Sequence, residues 1–342
     1  MATMKQVAEA AGVSTATVSR VLNDGPLISA STAERVTAAI RDLNYHPNHV
    51  ARSLRTVSTQ TLGVLVSNVA NPFFAGLVHA IEDGASELGL GLLLGNASEQ
   101  PERQLSYLHS FLEKQVDGMI VTPTGTSIDW VEEVRAMRLP LVFVDRTLPG
   151  VNVPSVTIDH DDALVELIDH FMSFGHRSAA IITGPSANAP IRRRVAGFLD
   201  AAAPRGFTVR PEQIIEGGVS REDGSRAVRD LLAVHGRRPD VIFTLNNTMA
   251  LGALEQLAAV GLTIPDDFGF ASYDDSPWFE VLSPTVTAIA QPVAGMGRAA
   301  IDMVSRIIAG EEVESVTLPA TFIARKSCGP NDNSTSVRGR TS

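Results

Sequence analysis

From residue 62 onward the sequence alternates between short, unbroken apolar runs and longer stretches of helical periodicity, and few folds accommodate that alternation. The runs at 62–66, 91–94, 118–121 and 141–144 are of strand length and show no polar face. Such strands must be covered on both sides, which a parallel sheet flanked by helices achieves. Helical segments starting near Pro72, Pro101 and Ser127 supply the cover. The alternation restarts at 179–182 and continues through 241–243 and 269–271, so two doubly wound subdomains are expected. Gln291-Pro292 opens a further helix through Ile308, and one strand follows near 316–324. In sheets of this kind the ligand crevice lies beyond the carboxyl ends of the strands.

The first 56 residues follow a different pattern. Met4 to Ala11 reads as a short helix, with Thr3 placed to cap it and Gln6 to complete a capping box. Gly12 permits a tight turn, and Ser14 caps a second helix. On that helix Val18, Val21 and Leu22 share one face, while Thr15, Ala16, Ser19 and Arg20 lie on the other or at its edge. This arrangement suits a helix-turn-helix whose second helix enters the major groove amino end first, where Arg20 can bridge guanine O6 and N7. A plain helical hairpin packed on a core is the other reading of these residues taken alone. Ser31 and Glu34 read as a second capping box, opening a third helix with Val36, Ile40 and Leu43 on its buried stripe. Pro47 stops that helix, and 48–55 forms one too short to be stable by itself.

The specific signal is a series of words in order: Val7-Ala8, Gly12-Val13-Ser14, Thr17-Val18-Ser19-Arg20-Val21-Leu22-Asn23, Leu43-Asn44-Tyr45, Pro47-Asn48 and Val50-Ala51-Arg52-Ser53-Leu54. With these the chain resembles the LacI/GalR family of bacterial transcription regulators, and the resemblance extends to about Lys326. It implies an all-α helix-turn-helix DNA-binding domain with a hinge helix, followed by an α/β domain like a type I periplasmic binding protein, made of two doubly wound subdomains. The boundaries expected are 1–56 for the reader, with its hinge helix at about 48–55, and 57–61 for a linker. The effector-binding and dimerisation domain spans 62–327, and a disordered tail 328–342. Within the α/β domain, 62–160 plus 292–312 form one subdomain and 161–291 plus 313–327 the other, with three crossings between them. The DNA contacts implied are Thr3, Lys5, Ser14, Thr15, Ala16, Thr17, Ser19, Arg20 and Asn23, joined by Asn48, Ala51, Arg52 and Leu54 of the hinge. Leu54, with little core to bury, takes the role of a minor-groove wedge.

Candidates for the crevice stand at strand ends. Ser67 and then Phe73-Phe74 follow the first strand, Asp145 follows the fourth, and Asn246 and Asp274 end later ones. Arg194 is the arginine that the family's Arg-x-x-Gly-Phe pattern assigns to the ligand. A carboxylate after an apolar strand can accept paired hydrogen bonds from vicinal hydroxyls, and an aromatic plate can stack on a sugar face. The phenylalanines can equally anchor the following helix in the core. The implied effector is a sugar or polyol. Val219 stands where purine-responsive relatives carry a stacking aromatic, so Trp278 or the Phe pair would have to supply the plate. Pro190 replaces a residue that is often hydroxylated in relatives.

Other classes fare worse. Gly89, Gly91 and Gly95 have a dinucleotide look but the wrong spacing and a strand position, and no Gly-x-Ser-x-Gly elbow occurs. His109, His160, His170, His176 and His235 lack metal-ligand spacing, so no metal, no cofactor and no catalytic residue are expected. The net charge of −10 argues against nucleic acid until the chain is divided. Residues 1–56 hold six basic against four acidic residues, so the surplus of two lies with the reader and −12 with the rest. The single cysteine, Cys328, fits a reducing compartment, no apolar run reaches membrane length, and no signal segment opens the sequence, so a cytoplasmic protein is expected. A solute-binding protein of the same fold without a gene-regulatory role is the alternative, and the reader speaks against it. Residues 329–342 hold no leucine and no heptad, which points to a homodimer on double-stranded operator DNA.

Overall fold

The computed structural model describes residues 2–22, 28–45, 58–233 and 238–329, which divide into two units, Met1–Thr59 and Gln60–Ser342. In the first unit helix α1 (Met4–Ala11) starts with the expected reciprocal box. Thr3 N–H donates to Gln6 Oε1 at 2.8 Å and Gln6 N–H to Thr3 Oγ1 at 3.3 Å. Gly12 then turns the chain at φ +64°, a region that costs residues with a Cβ. Helix α2 (Thr15–Val21) is capped by Ser14, whose Oγ accepts from Thr17 N–H at 3.1 Å. Helix α3 (Ala30–Asp42) is capped by Ser29 and not by Ser31, because Ser29 Oγ reaches Thr32 N–H at 3.3 Å. Val7, Val18 and Val36 are fully buried where the three helices meet, with Ala39 and Tyr45 beside them. Leu43 belongs to the exposed side of α3, a departure from the expected stripe. The expected hinge helix at 48–55 lies outside the described residues, as does 330–342 of the expected tail, whereas its first residue, Cys328, is buried in the second core.

The second unit holds two six-stranded sheets. The first contains β1 (Thr61–Val66), β2 (Gly91–Asn96), β3 (Gly118–Val121), β4 (Leu141–Val144), β5 (Ser155–Asp159) and β11 (Val316–Pro319), in the order β11-β5-β4-β3-β1-β2. The second contains β6 (Ala179–Thr183), β7 (Ile214–Glu216), β8 (Val241–Thr244), β9 (Gly269–Tyr273), β10 (Thr287–Ala290) and β12 (Thr321–Ile323), in the order β12-β10-β9-β8-β6-β7. The two halves repeat one plan, five parallel strands each, and each takes its sixth strand from the end of the chain. One strand was expected over 316–324. The chain instead breaks after Pro319 and delivers β11 to one sheet and β12 to the other, so 316–319 belongs with the first subdomain. Ala320, at the break, donates its N–H to Asp159 O at 2.7 Å, tying this crossing to the one after β5.

Helices cover both faces. In the first half these are α4 (Pro72–Glu87), α5 (Pro101–Glu113) and α6 (Asp129–Ala136), joined by the late helix α11 (Val293–Ile308), which packs against α4. In the second half they are α7 (Asp161–Ser173), α8 (Ala189–Ala202), α9 (Arg221–Ala233) and α10 (Asn247–Ala259). Gly224 of α9 and Gly252 of α10 face the partner helix's backbone. A Cβ on Gly252 would collide with Arg221 O, and one on Gly224 with Met249 O. No helix among the described residues is long and apolar enough to cross a membrane.

Candidate functional site

Two surfaces bring sequence candidates together. On the first unit, Thr15, Ala16 and Arg20 are exposed along the outer side of α2, and Lys5 is exposed on α1. Arg20 has no carboxylate partner among the described residues. Ser14 and Thr17 are joined to each other at 2.9 Å, so part of their hydrogen-bonding capacity goes to the cap. Thr3 is likewise exposed but engaged by Gln6, and Ser19 is half-buried. Asn23, Asn48, Ala51, Arg52 and Leu54 lie outside the described residues.

The other surface is the crevice between the two sheets of the second unit. Its charged centre arises from the internal repeat. Asp145 directly follows β4 and Asp274 directly follows β9, the corresponding strand of the other sheet, and both residues adopt φ +67°. Arg194, from α8, joins them. Its guanidinium carbon lies 3.8 Å from the centre of the Tyr273 ring, its Nη1 donates to Leu245 O at 3.0 Å, and the same nitrogen is 3.9 Å from Asp274 Oδ2. The other Asp274 oxygen accepts from Gln291 Nε2 at 2.5 Å. On the facing side Arg146 grips Glu99 with both Nη atoms, at 2.8 and 2.7 Å, and its Nε stands 3.4 Å from Asp145 Oδ2.

Burial dominates the electrostatics of this group. It pushes the Asp145 and Asp274 carboxyls above the usual carboxylate range, against the pull of Arg146 and Arg194 on the one and Arg194 and the Gln291 amide on the other. Glu99 is different. Burial opposes its charge too, but the bidentate Arg146 overcomes it and holds this carboxyl below its ordinary value. Burial works against the Arg194 charge, and Tyr273, Asp274 and Asp145 more than restore it.

Cavities of about 430 and 510 Å³ flank this group and share Asp145, Arg146, Pro190 and Arg194. Phe73 and Phe74 line the larger one, stand edge to face at 4.8 Å, and also belong to the first core, where they anchor α4. Asn246 lines it as well, with its amide mostly engaged: Oδ1 accepts from Met249 N–H at 2.6 Å and Nδ2 donates to Val219 O at 3.3 Å. Val219 forms wall rather than plate. Two candidates stand apart. Ser67 is wholly buried and lines neither cavity. Trp278 packs against Phe279, with ring centres 4.2 Å apart, beside the second core, and does not reach the cavities in place of an aromatic at 219.

Sequence reasoning missed Glu99, Tyr273 and Gln291. Glu99 reaches Arg146 from a loop with left-handed backbone, which no motif announces. In the sequence Gln291 marks only the approach to a helix, and Pro292 is the usable sign that the chain changes course there. Among the described residues, His79, Glu82 and Asp83 of α4 come close enough to share an ion, but all three are exposed and nothing further marks a metal site. What the crevice offers a ligand is polar chemistry: buried acceptors on two aspartates, fixed donors on two arginines, and phenylalanine edges.

Comparison with known proteins bears on both surfaces. Residues 3–48 match the family described as bacterial regulatory proteins, lacI family, and residues 59–326 match periplasmic binding proteins and sugar binding domain of LacI family. Catabolite control protein A of Priestia megaterium is 32% identical over 95% of this chain and 98% of its own. The HTH-type transcriptional repressor PurR of Photobacterium profundum is 34% identical over 89% and 91%. Among solved structures, the lac repressor dimer bound to operator and the anti-inducer ONPF matches with a TM-score of 0.84 at 28% identity, covering 96% of this chain and 99% of that one. The transcriptional regulator CelR–cellobiose complex matches with a TM-score of 0.70 at 28% identity, over 96% and 100%.

Proposed function

The chain belongs to the LacI family of bacterial transcription regulators, and from that premise we propose that it is a repressor that binds a two-fold operator as a homodimer and is switched by a small polyol in the crevice. The observation that carries this reading is the pairing in one chain of the turn-linked helices α1 and α2 with an Asp145–Arg194–Asp274 group whose side chains are buried. A solute-binding protein has no use for the reader. Acting on chromosomal DNA assigns the protein to the cytoplasm. The dimer is supported by apolar side chains left uncovered: Leu94 on the edge strand β2, and Val281 and Leu282 in the loop after β9, Val281 being 81% exposed. Exposed apolar edges are avoided unless something covers them, and a second copy does so with two-fold economy.

Control follows by linkage. Asp145 and Asp274 hang from different sheets, so a ligand that bonds both favours one relative setting of the two halves. That setting changes the fit of the dimer to DNA. The test is a gel shift on DNA upstream of the protein's own gene. Arg20→Ala should lose on the order of 1–3 kcal/mol on the specific site and little on random DNA. Equal losses on both would reduce Arg20 to a phosphate contact and sink the assignment of α2 as the base reader.

A further inference from the structure

The smaller cavity of the crevice carries a positive charge that the site leaves unanswered. Arg146 has Glu99 and Arg194 has Asp274, but Arg193, next to Arg194 on α8, also lines this cavity. It is exposed, and its guanidinium has no carboxylate, carbonyl or ring partner among the described residues. The third arginine of the run, Arg192, donates to Ser186 O and Ala187 O and is accounted for.

A long cation on a helix is often merely solvated. Three further observations set Arg193 apart. Thr147, also exposed, offers a hydroxyl in the same cavity. The first turn of α8, at Ala189 and Pro190, borders it too, and this helix begins without a side-chain cap, leaving its positive end uncompensated. At the inner end of the cavity Gln291, only 8% exposed, has spent its Nε2 on Asp274, and its Oε1 is buried without a partner. A buried lone acceptor calls for a donor. The cavity therefore asks for a hydroxyl at one end and an anion at the other. An anion cannot sit at the inner end, where it would meet Asp145 and Asp274.

We infer that the effector is an anionic sugar derivative, a phosphate ester or a sugar acid, whose charged group is taken by Arg193 at the cavity mouth. This rests on the polyol reading of the crevice and narrows it. The test is calorimetric titration of the full-length protein with D-glucose, D-glucose 6-phosphate and D-gluconate, and with D-ribose, D-ribose 5-phosphate and D-ribonate. Each is run on the wild type, Arg193→Ala and Arg193→Lys. At least one anion should bind about tenfold or more tighter than its neutral parent, with that advantage shrinking as salt rises. Arg193→Ala should erase the advantage while operator binding and melting temperature stay unchanged, and Arg193→Lys should keep part of it. Whether the ester or the acid gains distinguishes phosphate from carboxylate. An advantage that survives Arg193→Ala overturns the inference, and so does equal binding of neutral and anionic sugars, which would leave the polyol reading standing. Binding by none of the six counts against both.

Discussion

Asp274 has its two oxygens committed to different partners, Gln291 from the second crossing and Arg194 from α8. Asp274→Asn keeps the shape and removes the charge, so Arg194 loses its carboxylate. We expect this variant to bind operator and fail to respond to effector, as followed by fluorescence anisotropy; a preserved response would move the effector out of the crevice. Because burial raises Asp274 and Asp145, the ionised form is the costly one, and acid protonates this pair before it protonates surface carboxylates. Effector affinity should therefore begin to fall at a higher pH than ordinary carboxyl titration would give. The same protonation relieves the burial cost, so these two groups do not make the fold acid-labile. His170 does. Its Nε2 is buried without a partner between Phe174 and Phe322, and burial, with the charge of His176 second, takes the ring from 6.5 to about 4. The stability this ring contributes is whole above the unfolded value of 6.5 and is lost as pH falls toward about 4. His170→Phe should melt later than wild type at pH 5 and similarly at pH 7.5. A parallel shift at both values would show a packing effect with no titration in it.

Helices α9 and α10 pack backbone to backbone through Gly224 and Gly252. In an exposed helix, Gly→Ala gains roughly 0.5–1 kcal/mol. Here the sign reverses: the new methyl of Gly252→Ala meets a carbonyl that no rotamer change can move, and about 2 kcal/mol or more should be lost in urea melts. A neutral result would mean that α9 slides without cost. Elements of this kind were legible in the sequence to the extent that they announced themselves by composition. The continuous apolar runs became β1 to β4, β6, β8 and β9. Missed were β5, where Ser155 and Thr157 interrupt the apolar run, β7, which has three residues, and β10. The sequence alone points to Ser31 as the cap of the third helix, but the helix starts one residue earlier, at Ala30, and only the folded backbone shows that the Ser29 hydroxyl is the one that reaches an orphan N–H. In the crevice, Asp145, Arg194 and Asp274 were legible because strand ends and a motif fix them. Glu99 and Gln291 were not, since their partners are 47 and 17 residues away and only the folded loops bring them close.

At the scale of the whole molecule, the uncovered leucines and valine tie assembly to the second unit. Val281→Asp combined with Leu94→Asp should dissociate the dimer in analytical ultracentrifugation and leave the monomer's melting temperature within about 2 °C, as for surface changes away from a core. A variant that stays dimeric would move the interface elsewhere. The way the two halves share the chain has a further effect, on synthesis. The first half has five of its strands by Asp159, yet the helix that packs against α4 is not complete until Ile308, and β11 comes later still. A ribosome adding roughly 5–20 residues per second needs about 7–30 s to cover that distance. During this time the nascent first half presents an uncovered apolar face, while the second half lengthens behind it and gathers its own strands up to β10. Translation thus leaves the earlier half to be finished last, and a chaperone that shields nascent apolar surface would find its longest-lived target on α4.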